Sequence, residues 1–481
     1  RLNVHTLGRL VPWSLGPSVP SLRGILSCMS KSPNVLFVFA DQMRGCDMRC
    51  AGNREMVTPH FDRLAREGVM ATRHYATTPL CCPNRATMLT GTYPTTHRLL
   101  VNDVPMRFDL PSMGTLARDA GYRTGYIGKW HVHGGDRLAP IPRGACRLGF
   151  DDFWAVLNCA HDYFDTKYYR DDSDEMIRVE GYEPEIQTDL ALEFLDGQAR
   201  DARPFCLVLS WGPPHNPYEQ VPDEYRAMYP DPRTLTMRPN VRDIPREFLD
   251  PAWSQYETIR DYYAQITSLD VMMGRLLDRL EQIGALDDTI VVFTSDHGDM
   301  MWSQGLLYKC VPWEESVNVP LLVRWPEGLP RGAVCDALIG TVDLLPTLAS
   351  LCGWRGGDSF EGLDLAATLR GDADAPRPGS AFISNYQPYT FRRDMPTPAW
   401  RGLRTERYTY TETPDRNPWV VCDNQADPYQ LTNLAADPAH AAQRAALAAE
   451  LDRTLNRLGD PFLDGPGMKK HFNVGAPNKA Y

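Results

Sequence analysis

The stretch Asn34 to Ala40, NVLFVFA, ends abruptly at Asp41-Gln42. Successive side chains of a strand point to opposite faces, so an uninterrupted apolar run of this length has to be covered on both sides. Runs of the same kind recur at Arg123 to Gly128, Pro204 to Ser210 and Thr289 to Ser295, and a helical pattern from Ile259 to Ile283 lies between the last two. This alternation predicts an α/β fold, a large mostly parallel sheet sandwiched by helices. The chain has 481 residues, 43% of them hydrophobic, enough for one large domain and a smaller one.

The domain boundary is expected near the Gly- and Asp-rich segment from Gly353 to Gly371, which divides residues 31–370 from 371–481. In the second part, Ala381 to Asn385, Trp400 to Tyr410 and Trp419 to Asp423 read as short strands. Pro438 to Leu458 reads as an Ala-rich amphipathic helix. A small α+β subdomain with a short antiparallel sheet is therefore expected. Residues 1–30 are expected to be a disordered leader: Pro12, Pro17 and Pro20 break any helix, and no apolar core of a secretory signal is present. A cytoplasmic location is the expectation that follows. No apolar run is long enough to span a membrane, and the formal net charge of −11 argues against nucleic acid or an anionic membrane as partner.

In a parallel sheet, ligands bind beyond the carboxyl ends of the strands. Each apolar run here stops at residues capable of chemistry: Asp41 and Gln42 after the first, Lys129 and His131 after the second, His215 after the third, Asp296 and His297 after the fourth. Asp41, Gln42, Asp296 and His297 offer hard oxygens and one imidazole, which suits a single divalent ion, Ca²⁺ first, with Mg²⁺ or Mn²⁺ as alternatives. Cys81-Cys82-Pro83-Asn84-Arg85 adds a thiol and a cation at the mouth of a helix expected to begin near Arg85, a setting that favours an anion. Lys129, Lys309 and Arg85 are placed to stabilise charge on a tetrahedral anion. The twelve cysteines show no paired metal-binding spacing and read as mostly reduced thiols.

The segment Cys81 to Gly91, together with Gly128-Lys129-Trp130-His131, Thr294 to Asp299, Lys309 with Trp313 to Ser316, and Val342 to Thr347, closely resembles the type I sulfatases of the alkaline-phosphatase-like superfamily. The resemblance runs from about Asn34 to the C-terminus. It implies that Cys81 is oxidised to formylglycine by a maturation enzyme, joins the metal set, and in hydrated form attacks the sulfur of a sulfate monoester in line. It further implies that His215 and Lys309 assist the departing oxygen and that His131 takes a proton from the remaining hydroxyl to expel sulfate. Lys129 and Arg85 would hold the nucleophile and the sulfate oxygens.

Four positions depart from the common pattern of that family. Asn84 stands where Ser or Ala is usual, Gln42 and His297 stand where many members carry Asp and Asn, and Gln304 stands where His is frequent. A phosphonate monoester or phosphodiester hydrolase on the same scaffold is the enzymatic alternative, against which Lys129 and His131 argue, because those enzymes resemble this chain except for Tyr and Thr there. A non-catalytic binder of sulfated glycans is the other. Substrate contacts are expected from His161, Trp211, Asn216 and Arg392 or Arg393, since aromatic rings beside hydrogen-bonding groups suit a sulfated sugar. Aryl or alkyl sulfates remain possible substrates. An oligomer is possible, with the tail from Asp460 to Tyr481 as a candidate contact.

Overall fold

The computed structural model describes residues 32–474 other than Ala199, Ala252, Gly357, Asp358 and Arg393. The expected leader at 1–30 lies outside the described residues. From Pro33 onward the chain forms one compact unit, and among the described residues no helix is long and apolar enough to cross a membrane.

Ten strands make the main sheet: β1 (Asn34–Asp41), β2 (Val69–Ala71), β3 (Arg123–Lys129), β4 (Phe153–Leu157), β5 (Asp165–Arg170), β6 (Met176–Glu180), β7 (Phe205–Pro214), β8 (Thr289–Ser295), β9 (Leu321–Arg324) and β10 (Ala333–Cys335). Their order is β10-β2-β9-β8-β1-β7-β3-β4-β5-β6. The four strands legible in the sequence are the central block β8-β1-β7-β3, and all three of its pairings are parallel. Antiparallel strands lie to either side, β9 against β8 and β5 against β4.

Strand β1 is covered on both faces. Val35, Phe37 and Phe39 enter one apolar cluster, which holds Ala86 and Met88 of helix Cys81–Thr90 and Leu344, Leu345 and Leu348 of helix Leu344–Cys352. Leu36, Val38 and Ala40 enter the other, built with Tyr262, Leu269 and Leu276 of the helix Gln255–Gln282. Burying six such side chains is worth roughly 10 kcal/mol before conformational entropy is set against it.

The C-terminal sheet is antiparallel, in the order Ser380–Asn385, Trp400–Thr405, Tyr408–Glu412, Pro418–Asp423. The expected single strand from Trp400 to Tyr410 is in fact two, because the adjacent charged residues Glu406 and Arg407 make a turn, with Arg407 paired to Asp423. Helix Ala441–Leu458 lays Leu447, Leu451, Leu455 and Leu458 on this sheet at four- and three-residue intervals, beside Phe382, Leu403 and Tyr410.

Parallel alignment of the central block brings its carboxyl ends to one edge. Gly128, next to last in β3, lies opposite Ser210 of β7 with φ 97°, and a Cβ there would stand 2.1 Å from the Ser210 carbonyl oxygen. Gly121 also has positive φ, 84°, but open space around it. Gly128→Ala is therefore expected to lower stability by more than about 3 kcal/mol in a urea titration, and Gly121→Ala by only about 1–2 kcal/mol; equal losses would show that the close approach to Ser210 carries no weight.

Candidate active site

Helix Cys81–Thr90 points its N-terminus at the carboxyl edge of the sheet, and all ten of its residues are buried. It starts at Cys81 itself rather than near Arg85, because Pro83 falls in the first turn, where a missing N–H costs nothing. The Cys81 thiol therefore sits at the helix head. Its Sγ is 3.2 Å from His297 Nε2 and 3.8 Å from Asp41 Oδ1.

Arg85, one turn further on, joins all four central strands. Its Nε donates to Asp296 Oδ2 at 2.8 Å, its Nη1 to the Lys129 carbonyl at 2.9 Å and to Ser210 Oγ at 2.8 Å, and its Nη2 reaches Asp41 Oδ2 at 3.3 Å. Arg85 is wholly buried and stacks over Phe39. This corrects its expected role on the sulfate oxygens: the guanidinium lies behind the two carboxylates and does not line the cavity.

Asp41, Cys81, Asp296 and His297 place one ligand atom each within 4.8 Å of one another. The Oδ2 atoms of both carboxylates are turned to Arg85, and Asp41 Oδ2 also to Lys129 Nζ at 2.5 Å. The Oδ1 atoms face His297 Nε2, at 3.4 Å from Asp41 and 3.6 Å from Asp296. His297 Nδ1 lies 3.0 Å from the Gly298 carbonyl, which selects the tautomer that leaves a lone pair on Nε2. These donors fit a divalent cation. Gln42, the fifth expected ligand, holds positive φ (73°), and its Oε1 accepts from Lys309 Nζ at 2.5 Å while its amide donates to Asp299 Oδ2 at 2.5 Å. A carbonyl oxygen has a second lone pair, so this contact leaves Gln42 able to ligate.

A second group, Asp41, His161 and His215, also has ligand atoms within 4.8 Å. Ammonium groups already bridge it: Lys129 Nζ donates to His161 Nε2 at 3.1 Å, and Lys309 Nζ to His215 Nε2 at 2.7 Å. The two imidazoles stack at 4.1 Å between centroids. Burial and the adjacent Lys309 charge push His215 down to about 3, so its ring is neutral at ordinary pH, with Nδ1 toward the Asn216 carbonyl. Burial and the Cys81 charge oppose ionisation of Asp41, but the Lys129 and Arg85 cations outweigh them and hold its carboxyl well below the usual range. Burial likewise opposes a charged Cys81, and the Lys309 and Lys129 cations overcome it, holding the thiol well below its ordinary value.

His131 (φ 55°) directs Nε2 to Asp103 Oδ1 at 3.2 Å, and Arg137 grips both oxygens of Asp103 at 2.8 and 2.9 Å. Asp103 went unseen in the sequence because the loop carrying it has no strand or motif of its own. Asp299 was quoted without a role; it organises the site by accepting from Gln42, from Tyr218 at 2.6 Å, and from the backbone of Met301 and Tyr308 at 2.9 Å.

A cavity of about 450 Å³ opens over this constellation, with Cys81, His131, His161, His215 and Lys309 on its floor and Tyr389 in its wall. Of the expected rim residues, His161 and Asn216 line it. Trp211 does not: it is fully buried in the apolar cluster on one sheet face, because an inner position of β7 turns its ring into the core. Arg393 lies outside the described residues, and Arg392 ends the strand Tyr389–Arg392 beside the cavity wall. Asn84 ties the helix to its surroundings, donating to the Asp296 carbonyl at 2.5 Å and accepting from Thr341 at 2.6 Å. Gln304 donates to the Tyr429 and Gln430 carbonyls, away from the cavity.

A sulfatase family model matches residues 33–354, and a model for the C-terminal part of N-sulphoglucosamine sulphohydrolase matches residues 303–457. An ulvan-active sulfatase of Formosa agariphila is 36% identical over 93% of this chain and 88% of its own length. A solved structure from work on glycosaminoglycan metabolism by Bacteroides thetaiotaomicron has a TM-score of 0.78 at 27% identity, covering 90% of this chain and 98% of that one. The phosphonate monoester hydrolase of Agrobacterium radiobacter shares the fold, with a TM-score of 0.72 at 24% identity over 90% and 96% of the two chains.

Removing the charge of Arg85 leaves two buried carboxylates without their common counter-ion. Arg85→Met is expected to lower metal-free stability by about 3–5 kcal/mol by denaturant titration. Adding Asp41→Asn should recover part of that loss; additive losses in the double variant would show that the pair is not coupled.

Proposed function

Because this chain belongs to the sulfatase family of the alkaline-phosphatase-like superfamily and so hydrolyses sulfate esters, we propose that its substrate is a sulfated carbohydrate and that residue 81, oxidised to formylglycine, is the nucleophile. The observation that carries this reading is the position of Cys81, at a helix head, on the cavity floor, and in contact with His297 and Asp41. The 36% identity to an ulvan-active sulfatase and the likeness to a structure from work on glycosaminoglycan metabolism support a glycan substrate. Asp41, Gln42, Asp296 and His297 would hold a divalent ion, which when bound would supply Lewis-acid polarisation.

The chain's own residues supply the rest. Lys129 and Lys309 present ammonium groups from opposite sides of the stacked His161 and His215 pair, where charge grows on the equatorial oxygens. His215 is neutral and accepts from Lys309, so it orients that ammonium, and Lys309 is the group with a proton to give the departing alcohol oxygen. Asp103 fixes the ring of His131 through Nε2, and against the effect of burial the neighbouring Cys159, Cys82 and Asp103 hold this imidazole well above its ordinary pKa, which makes it a strong proton acceptor on the nucleophile side. Arg85 acts through Asp41 and Asp296, turning one oxygen of each toward the ion. The maturation enzyme that oxidises Cys81 is the partner this reading requires.

The phosphonate reading shares this fold, and a single preparation separates the two. Peptide mass spectrometry across Cys81 is expected to show formylglycine, and sulfate release from sulfated sugars should exceed hydrolysis of a phosphonate monoester; the reverse ratio would transfer the assignment. Cys81→Ala should reduce turnover roughly a thousandfold or more. Chelation should abolish activity, with recovery on adding Ca²⁺ or Mg²⁺. His215→Gln should lower kcat yet leave the alkaline limb of the pH profile in place, since a ring held at about 3 carries no proton to lose across that range; disappearance of that limb would make His215 the titrating acid.

A further inference from the structure

In the chain as translated, residue 81 is a thiol, and its sulfur completes a donor set different in kind from the one the oxidised protein would offer. Four atoms converge: Cys81 Sγ, His297 Nε2, and the Oδ1 atoms of Asp41 and Asp296. One thiolate, one imidazole and two carboxylates are the ligands of a four-coordinate borderline-soft cation, whereas Ca²⁺ asks for six or more oxygens. The spacing agrees. Zinc–ligand bonds of the usual lengths give tetrahedral edges of roughly 3.3–3.6 Å. Of the six edges, four are 3.2 Å from sulfur to His297 Nε2, 3.8 Å from sulfur to Asp41, 3.4 Å from His297 to Asp41 and 3.6 Å from His297 to Asp296, and the other two lie within 4.8 Å.

Outer contacts already hold each ligand in the orientation a metal needs. The Gly298 carbonyl fixes the His297 tautomer, and Arg85 and Lys129 occupy the Oδ2 atoms so that only the Oδ1 atoms point inward. Cys81 is nearly inaccessible, and His297, Asp41 and Asp296 are fully so, with the cavity over Cys81 as the way in for an ion.

We propose that the unoxidised chain is a tetrahedral Zn²⁺-binding protein at this site, and that oxidation of Cys81 converts the same pocket from a zinc site to one for a hard, oxygen-seeking cation. Binding is balanced as one zinc–sulfur bond formed for one S–H bond broken, the proton leaving to buffer. Conversion follows because the maturation enzyme, with dioxygen as oxidant and two external thiols as reductant, turns the Cys81 CH2–SH into an aldehyde with release of hydrogen sulfide, water and a disulfide, so that oxygen stands where sulfur was while the other three ligands stay. Chain that folds before oxidation is thereby closed by zinc, with its thiol masked. The second half of this inference rests on the proposed formylglycine; the first half rests only on the geometry of the thiol.

The test uses full-length protein made in a host lacking the oxidising enzyme, with intact Cys81 verified by peptide mass, beside the oxidised protein and Cys81→Ser. Cobalt(II) is the spectroscopic probe for zinc. Unoxidised protein should take up one equivalent with a thiolate-to-cobalt charge-transfer band in the near ultraviolet, displaced by one equivalent of Zn²⁺ and not by excess Ca²⁺. The oxidised protein and Cys81→Ser should lack the band and bind Zn²⁺ roughly a hundredfold more weakly. Absence of the band in folded, unoxidised protein would overturn the proposal, as would its survival in Cys81→Ser, which would assign it to another thiol. If Cys81→Ser does not fold, the oxidised protein serves as the sulfur-free comparison. Failure to find formylglycine in any host would remove the proposed nucleophile while leaving the zinc site standing. A charge-transfer band in fully oxidised protein would do the opposite.

Discussion

One guanidinium holds this site together. Arg85 reaches Asp41 at the end of β1, Asp296 just past β8, the Lys129 carbonyl at the end of β3 and Ser210 within β7. Four parallel strands and the helix head are thus referred to a single buried cation. Buried charges are tolerable only when paired and fully hydrogen-bonded, and here each is. Asp41 meets Arg85 and Lys129, Asp296 meets Arg85 and the Gln42 backbone, and Lys129 continues to His161. The network has few alternative arrangements, because among the described residues Arg85 is the one Lys or Arg that reaches Asp296, and Asp41 is shared between Arg85 and Lys129.

The chain's net charge of −11 says nothing about this region. An anion-handling pocket in an acidic protein has to be built locally, and Lys129 and Lys309 build it, while Arg85 behind them offsets the carboxylates of Asp41 and Asp296. Backbone strain accompanies it. Gln42, Asp103, His131, Tyr308 and Cys310 all hold positive φ without being glycine, each at a cost of about 1–2 kcal/mol. All five belong to the ligand and cavity loops, where the pull of hydrogen bonds and ion pairs offsets the strain.

The central sheet was legible because strands buried on both faces write themselves as unbroken apolar runs, and the polar residues that stop those runs are the ones the parallel alignment gathers. The family motifs carried the loop residues Lys309 and His297. What escaped reading had no such mark. Asp103 acts through His131 from a loop of irregular backbone, and Asp299 acts through Gln42 across more than two hundred residues of sequence. Trp211 misled for a physical reason: a large aromatic next to a chemical motif can face the core or the cavity, and only the pleat of β7 decides. The start of the helix at Cys81 was misplaced because a proline reads as a break until its place in the first turn is known. The hairpin at Glu406 and Arg407 was missed because the flanking residues on both sides share one strand-like pattern.

Burial of the whole helix Cys81–Thr90 carries a consequence for biosynthesis. Residues 81 to 85 have essentially no surface once the sheet and helix have closed on one another. A second macromolecule that needs to hold this stretch as an extended strand has no backbone to grasp in the finished protein. The order of events is therefore imposed by solvent access: any catalyst that alters Cys81 competes against the folding clock, and every molecule of this protein passes that decision once, while its chain is still new.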